Sequence, residues 1–96
     1  MEGALRKGDR LREGLVELVA RHPRQLREAR GLGLLQALVV QNGVDASRIL
    51  VKLREARLLL TIAGGDALRF SPPLTVTSQQ IDEALSTVDR VLGAQQ

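Results

Sequence analysis

Two spacings of apolar residues divide this chain. Leu11, Leu15, Leu18 and Val19 recur at i, i+4, i+7 and i+8, which lays one apolar stripe along a helix from about Leu5 to Arg21. His22 precedes Pro23, and a residue before proline is driven out of the helical region, so the helix ends there. Residues 29–40 read as one strand, with Leu32, Leu34, Gln36, Leu38 and Val40 on one face and Gly33, Leu35, Ala37 and Val39 on the other. Both faces are largely apolar, which calls for cover on both sides. Gly31 and Gly33 are read as close backbone approaches within that strand. They do not make a dinucleotide loop, because Gln36 stands where the third glycine belongs and no helix start follows.

Gln41-Asn42-Gly43 predicts a turn, and Asp45 an N-cap, with Val44 and Ile49 as its hydrophobic staple. The helix that follows runs to about Ala56, with Ala46, Ile49, Leu50 and Leu53 facing inward. Leu58–Ile62 reads as a second strand, Gly64-Gly65-Asp66 as a turn and Ala67–Ser71 as a third strand, the last two strands forming a hairpin. Pro72 and Pro73 end it. Thr77 and Gln80 have capping-box spacing, Val76 and Ile81 form a staple, and Ile81, Ala84, Leu85, Val88 and Leu92 make the stripe of a last helix. Gly93 to Gln96 is expected to fray. The expected architecture is α+β, a two-layer sandwich. A three-stranded sheet carries three main helices, chiefly on one face, in the order α-β-α-β-β-α. The strand–helix–strand segment Leu32–Ile62 predicts a right-handed parallel crossover if its strands share a sheet.

The strand at 67–71 raises a chemical question. Leu68 and Phe70 share one face, so Arg69 points to the other. A buried guanidinium costs several kcal/mol (~3–5) unless an acceptor meets it. Arg69 is therefore paired within its own domain, exposed at an edge, or an anion-binding group.

Composition narrows the classes. Ninety-six residues fit one small domain, with 44% hydrophobic residues but a single Phe and no Trp or Tyr, so the core is aliphatic. The absence of cysteine excludes disulfides and thiolate metal sites. Met1-Glu2-Gly3-Ala4 is followed by charges rather than by an apolar run, and the longest apolar stretch, Leu32–Val40, is too short to span a bilayer. A cytoplasmic chain without membrane contact is the expectation. The net charge is +3, but arginines interleave with acids (Arg10, Arg12, Glu13; Arg27, Glu28, Arg30; Arg54, Glu55, Arg57) and Phe70 is the sole aromatic. That pattern describes solvated helix faces and argues against nucleic acid. His22, the only histidine, is expected to interact with the carbonyls of its helix end.

The stretch RFSPPLTVTSQQIDEAL at 69–85 resembles the C-terminal end of class III, fold type I, PLP-dependent aminotransferases, and is most similar to the acetylornithine and ornithine enzymes. Gly8-Asp9-Arg10-Leu11-Arg12-Glu13-Gly14-Leu15 resembles the helix that begins their small domain, Arg30 to Leu35 the strand that follows, and Leu58–Gly64 their second strand. The resemblance implies one small domain over 1–96, with the PLP-binding large domain absent from the chain. It implies an enzyme that moves an amino group between a substrate amine and 2-oxoglutarate with PLP, in which this domain closes one side of the site. It also implies that Arg69 lies near the substrate carboxylate, where it can pair with a large-domain glutamate. The only lysines, Lys7 and Lys52, lie among charged helical residues and do not read as a Schiff-base lysine. No cofactor is expected in the isolated chain and no turnover from it. Partners are the missing large domain or another copy of the chain. Where the family has glycine before its second strand, Arg57 stands here, which puts the local turn in question. The alternative function is a non-catalytic interaction module that uses an uncovered sheet face.

Overall fold

The computed structural model describes residues 2–73 and 75–94, so Met1, Leu74, Gln95 and Gln96 lie outside the described residues, together with what was expected of them. The elements are α1 (Glu2–Arg21), β1 (Leu26–Leu32), β2 (Leu35–Val40), α2 (Ala46–Glu55), β3 (Thr61–Ala63), β4 (Ala67–Phe70) and α3 (Ser78–Ala94). One four-stranded antiparallel sheet has the order β1-β2-β4-β3.

This corrects the three-stranded expectation. The continuous strand 29–40 is two strands joined at Gly33-Leu34, with Leu32 paired to Leu35. Gly33 has φ 57, the left-handed value that a two-residue hairpin turn needs at its first position. Apolar residues on both sides of the glycines hid that turn, because hydrophobicity alone shows no break there. Leu32 is consequently 88% exposed at the hairpin tip, not an inward residue. The strand expected over 58–62 shrinks to Thr61–Ala63. The chain leaves α2 through 58–60 outside the sheet. β4 lies between β2 and β3 and is antiparallel to both, so the latter two run the same way without touching.

All three helices share one face of the sheet. Leu11, Leu15 and Leu18 of α1, Ile49 and Leu53 of α2, and Ile81, Val88 and Leu92 of α3 form one cluster with Leu26, Leu38, Val40, Leu68 and Phe70 from the strands. Leu15, Leu38, Leu53, Leu68, Val88 and Leu92 are fully buried. Each such side chain contributes about 1.5–3 kcal/mol by leaving water. The helix α1 lies so close to α3 that a Cβ on Gly14 would sit 2.2 Å from Leu85 Cδ1. The same seam is tied by polar groups. Arg10 Nε donates to Asp82 Oδ1 at 2.9 Å, and His22 Nε2 meets Asp89 Oδ1 at 2.8 Å. The partner of the His22 ring on α3 was invisible to a reading based on its own helix end.

The caps form as their residues dictate. Asp45 accepts from the N–H groups of Ser47 and Arg48. Gln80 N–H donates to Thr77 Oγ1 at 3.0 Å and Thr77 N–H to Gln80 Oε1 at 2.9 Å, a complete capping box. At the end of α2, Arg57 N–H donates to the Arg54 carbonyl and Leu58 N–H to that of Leu53. This is the Schellman arrangement, and Arg57 holds it at φ 69 without being glycine. The turn thus survives the substitution at the expense of local strain.

Arg57→Gly relieves that strain. A non-glycine residue in the left-handed region costs about 1–2 kcal/mol, offset in part by the larger entropy of unfolded glycine. Urea unfolding of the variant is expected to show a gain of about 0.5–1 kcal/mol. An unchanged or lower midpoint contradicts the cap. Phe70→Ala is expected to lose ~3–5 kcal/mol in the same assay, whereas Arg69→Ala, on the exposed face, stays within about 1 kcal/mol. Equal losses would make Arg69 a structural residue.

Acid should loosen the α1–α3 seam. Asp82 is held below the ordinary carboxylate range, chiefly by the Arg10 hydrogen bond, and Asp89 chiefly by the His22 hydrogen bond, with burial opposing both. A carboxyl whose pKa is lower in the fold stabilises it above the unfolded pKa. That contribution is lost as pH falls through the folded value. Stability is therefore expected to fall below about pH 4, and the Asp82→Asn/Asp89→Asn double variant to show a shallower acid limb. An identical limb in the variant counts against the seam.

Candidate functional site

The antiparallel register decides which side chains meet on the open face of the sheet. Leu38 pairs with Leu68 and Leu68 with Ile62, and the first two are buried in the core. Strand parity then sends the neighbouring row outward: Arg30, Ala37, Arg69 and Thr61, one residue from each strand. No described helix packs on this row. Val39 and Ala67, in the adjacent outward row, are buried yet stand outside the core cluster.

Arg69 occupies the centre of this face. It is exposed, and among the described residues neither a hydrogen bond nor an ion pair engages it. Of the three readings open from the sequence, pairing within its own domain is therefore not seen. Arg69 borders two recesses. One is a hollow of about 140 Å³ shared with Arg30, Gly31, Leu35, Gln36 and Ala37. The other is an apolar cleft of about 240 Å³ between the 58–61 segment and Phe70–Pro73, closed below by Val76 and Ile81. Pro72 and Pro73 carry the chain away from β4 without an N–H to continue the ladder, which keeps the strand end open. A guanidinium beside an apolar wall, with all its donors free, suits a planar anion such as a carboxylate.

Two neighbours were not singled out by sequence. Arg30 and Glu28, two residues apart on β1, share one face, and Arg30 Nη2 donates to Glu28 Oε1 at 2.7 Å. That bond is the leading cause of the raised Arg30 pKa and of the lowered Glu28 pKa. Gln36 is buried and its Nε2 donates to the carbonyls of Gly8, at 2.8 Å, and Gly33, at 2.5 Å. It clamps the first half of α1 to the hairpin turn, while its Oε1 is without a hydrogen bond. A lone glutamine inside an apolar run was the available signal.

The residues do not fit the cofactor that the resemblance implies. Lys52 lies exposed on α2, 3.8 Å from Glu55, and neither it nor Lys7 of α1 borders the recesses at Arg69. A Schiff-base lysine must sit in the site it serves. Among the described residues no group of three His, Asp or Glu could hold a metal ion, and no helix is long and apolar enough to cross a membrane.

Comparison with known proteins bears on the family and the fold. The family model for aminotransferase class-III matches residues 1–92. The acetylornithine aminotransferase of Caldanaerobacter subterraneus subsp. tengcongensis is 44% identical over 93 residues, which cover 97% of this chain and 23% of that protein. The lysine aminotransferase from M. tuberculosis superposes with a TM-score of 0.90 at 34% identity, covering 97% of this chain and 21% of that one. The ornithine aminotransferase of Plasmodium yoelii gives 0.88 at 29%, covering 97% and 25%. The chain thus spans between a fifth and a quarter of the length of these relatives. With almost every residue inside the family match and the same fold in its solved members, the chain belongs to the class-III aminotransferase family.

Proposed function

We propose that this chain serves as the C-terminal small domain of a PLP-dependent aminotransferase of the acetylornithine or ornithine type, and that it closes one side of the substrate site. The cofactor would be held by a large domain outside residues 1–96. The reaction would move an amino group between a substrate amine and 2-oxoglutarate. One observation carries the reading: Arg69, on the sheet face that no described helix covers, has its donors free beside an apolar cleft. Similarity to acetylornithine aminotransferases supports the substrate class. The role of Arg69 is to bind and orient a substrate carboxylate, since its planar fork meets the two oxygens together. Cytoplasmic placement belongs to the same reading.

A second reading, a non-catalytic interaction module, draws on the apolar residues that face solvent. Leu35 is 61% exposed and Leu59 77% exposed, on the hairpin and on the segment after α2. Its partner would be a large domain or a second copy of the chain.

Kinetics of a full-length aminotransferase ending in this sequence separate the two. Arg69→Ala is expected to lower kcat/KM for the carboxylate substrate by about 10–150-fold, the equivalent of ~1.5–3 kcal/mol for a lost charged hydrogen bond. Arg69→Lys should recover part of it, because it keeps the charge and loses the fork. Unchanged kcat/KM in the alanine variant removes Arg69 from the site and favours the module.

A further inference from the structure

The sheet has two edges, β1 and β3. β3 has three residues, a length that blunts an edge, whereas β1 has seven and no proline. The direction of its backbone groups follows from the ladder. Val40 N–H donates to the Asp66 carbonyl just before β4, and Gln41 N–H to the Gln25 carbonyl just before β1, both at 2.8 Å. Backbone groups alternate in direction along a strand, so Ala37 and Val39 turn theirs to β1, and Gln36 and Leu38 turn theirs to β4. Their register partners follow suit. Arg30 and Glu28 face β2, while Ala29 presents its N–H and C=O, and Gly31 its carbonyl, to the open edge. The Gly31 carbonyl accepts there from Arg12 Nη1 of α1, a long bond of 3.3 Å between exposed groups.

Charge selects what can pair with this edge. Glu28 and Arg30 share one face of β1, and their ion pair is open to water, the side chains being 43% and 57% exposed. An antiparallel copy of β1 can be centred on Glu28, on Ala29 or on Arg30. Centred on Glu28, it sets Glu28 against Glu28; centred on Arg30, it sets Arg30 against Arg30. Like charges directly opposite are destabilising. Centred on Ala29, it sets Glu28 of each copy against Arg30 of the other, at the closer spacing of a non-hydrogen-bonded pair, about 4.5 Å between Cα atoms. The two Ala29 residues then exchange their outward N–H and C=O groups across the two-fold axis.

We propose that β1 is a self-pairing edge, through which a second copy of this chain adds antiparallel in the Ala29-centred register and continues the sheet. The pairing stretch is short, bounded by the bulge between Leu26 and Glu28 and by the hairpin tip, so the contact is small and the association weak. Arg12 holds the Gly31 carbonyl in the separate chain and gives way on pairing, so it restrains the edge. None of this depends on the role given to Arg69.

Sedimentation equilibrium of this chain over about 10 μM to 1 mM tests it. The average mass is expected to rise toward the dimer, and the Ala29 amide to gain protection from hydrogen exchange over the same range. Glu28→Arg and Arg30→Glu should each weaken association by roughly 10-fold or more, because each dimer then holds two like-charged pairs. Mixed together, these two variants should associate again, since the basic edge of one meets the acidic edge of the other. Arg24→Glu, in the turn before β1, has the same charge as Arg30→Glu and should not rescue Glu28→Arg. Ala29→Pro removes only a donor that the ladder does not use and should abolish pairing, whereas Arg12→Ala should tighten it. Amide spectra show whether each variant is folded, and the mixing result stands without the proline variant. A chain that stays monomeric throughout overturns the proposal. So does a dimer indifferent to the charge changes, which would use another surface. Arg69→Ala should leave association unchanged, so failure here leaves the kinetic test of Arg69 untouched.

Discussion

The row Leu38–Leu68–Ile62, fully buried at its first two residues and partly buried at the third, is the constraint on which the rest of the molecule depends. These residues lock β4 between β2 and β3, and the register they set places every other strand residue on one face or the other. A slip of one residue would send Leu68 and Phe70 to solvent and drag the Arg69 guanidinium into an aliphatic core. Such a burial without a partner is far costlier than any contact on the open face could offset. Core packing and site presentation are thus one fact seen from the two sides of a strand.

The helices reinforce this division. They supply apolar stripes to one face and tie themselves together through Arg10–Asp82 and His22–Asp89. The opposite face carries Ala37, Thr61, Arg30 and Arg69 in one row, with Val39 and Ala67 in the row beside it. A family domain that covers about a fifth of its relatives' length would have its open face available to the remainder. The hairpin tip at Leu32 and Leu35 and the apolar cleft beside Pro72 lie around that face and are the regions suited to further burial.

Much of this was legible from residue spacing. The stripes of α1, α2 and α3 follow their apolar periods, both N-caps carry their expected hydrogen bonds, and the alternation at 67–70 sent Arg69 outward. The hairpin at Gly33 was not legible, because its flanks are leucines and hydrophobicity marks no boundary there. The short β3 was overread for the same reason: the leucines at 58–60 look like strand but serve as the exit from a Schellman cap and the wall of a cleft. Arg30 escaped notice because its neighbour across the sheet is set by a register that no single segment encodes. Long-range partners such as Asp89 for His22 and Gly8 for Gln36 are invisible for the same reason.

Under the proposed function, the open sheet face, with Arg69 at its middle, is the part of this domain that meets a substrate carboxylate. A crystal structure of a full-length aminotransferase ending in this sequence, bound to a carboxylate substrate analogue, tests it most directly. The analogue's carboxylate is expected to lie over Ala37 with the Arg69 guanidinium at hydrogen-bond distance, about 2.7–2.9 Å. An analogue bound elsewhere, with the Arg69 face turned to solvent or packed against another surface, would contradict it.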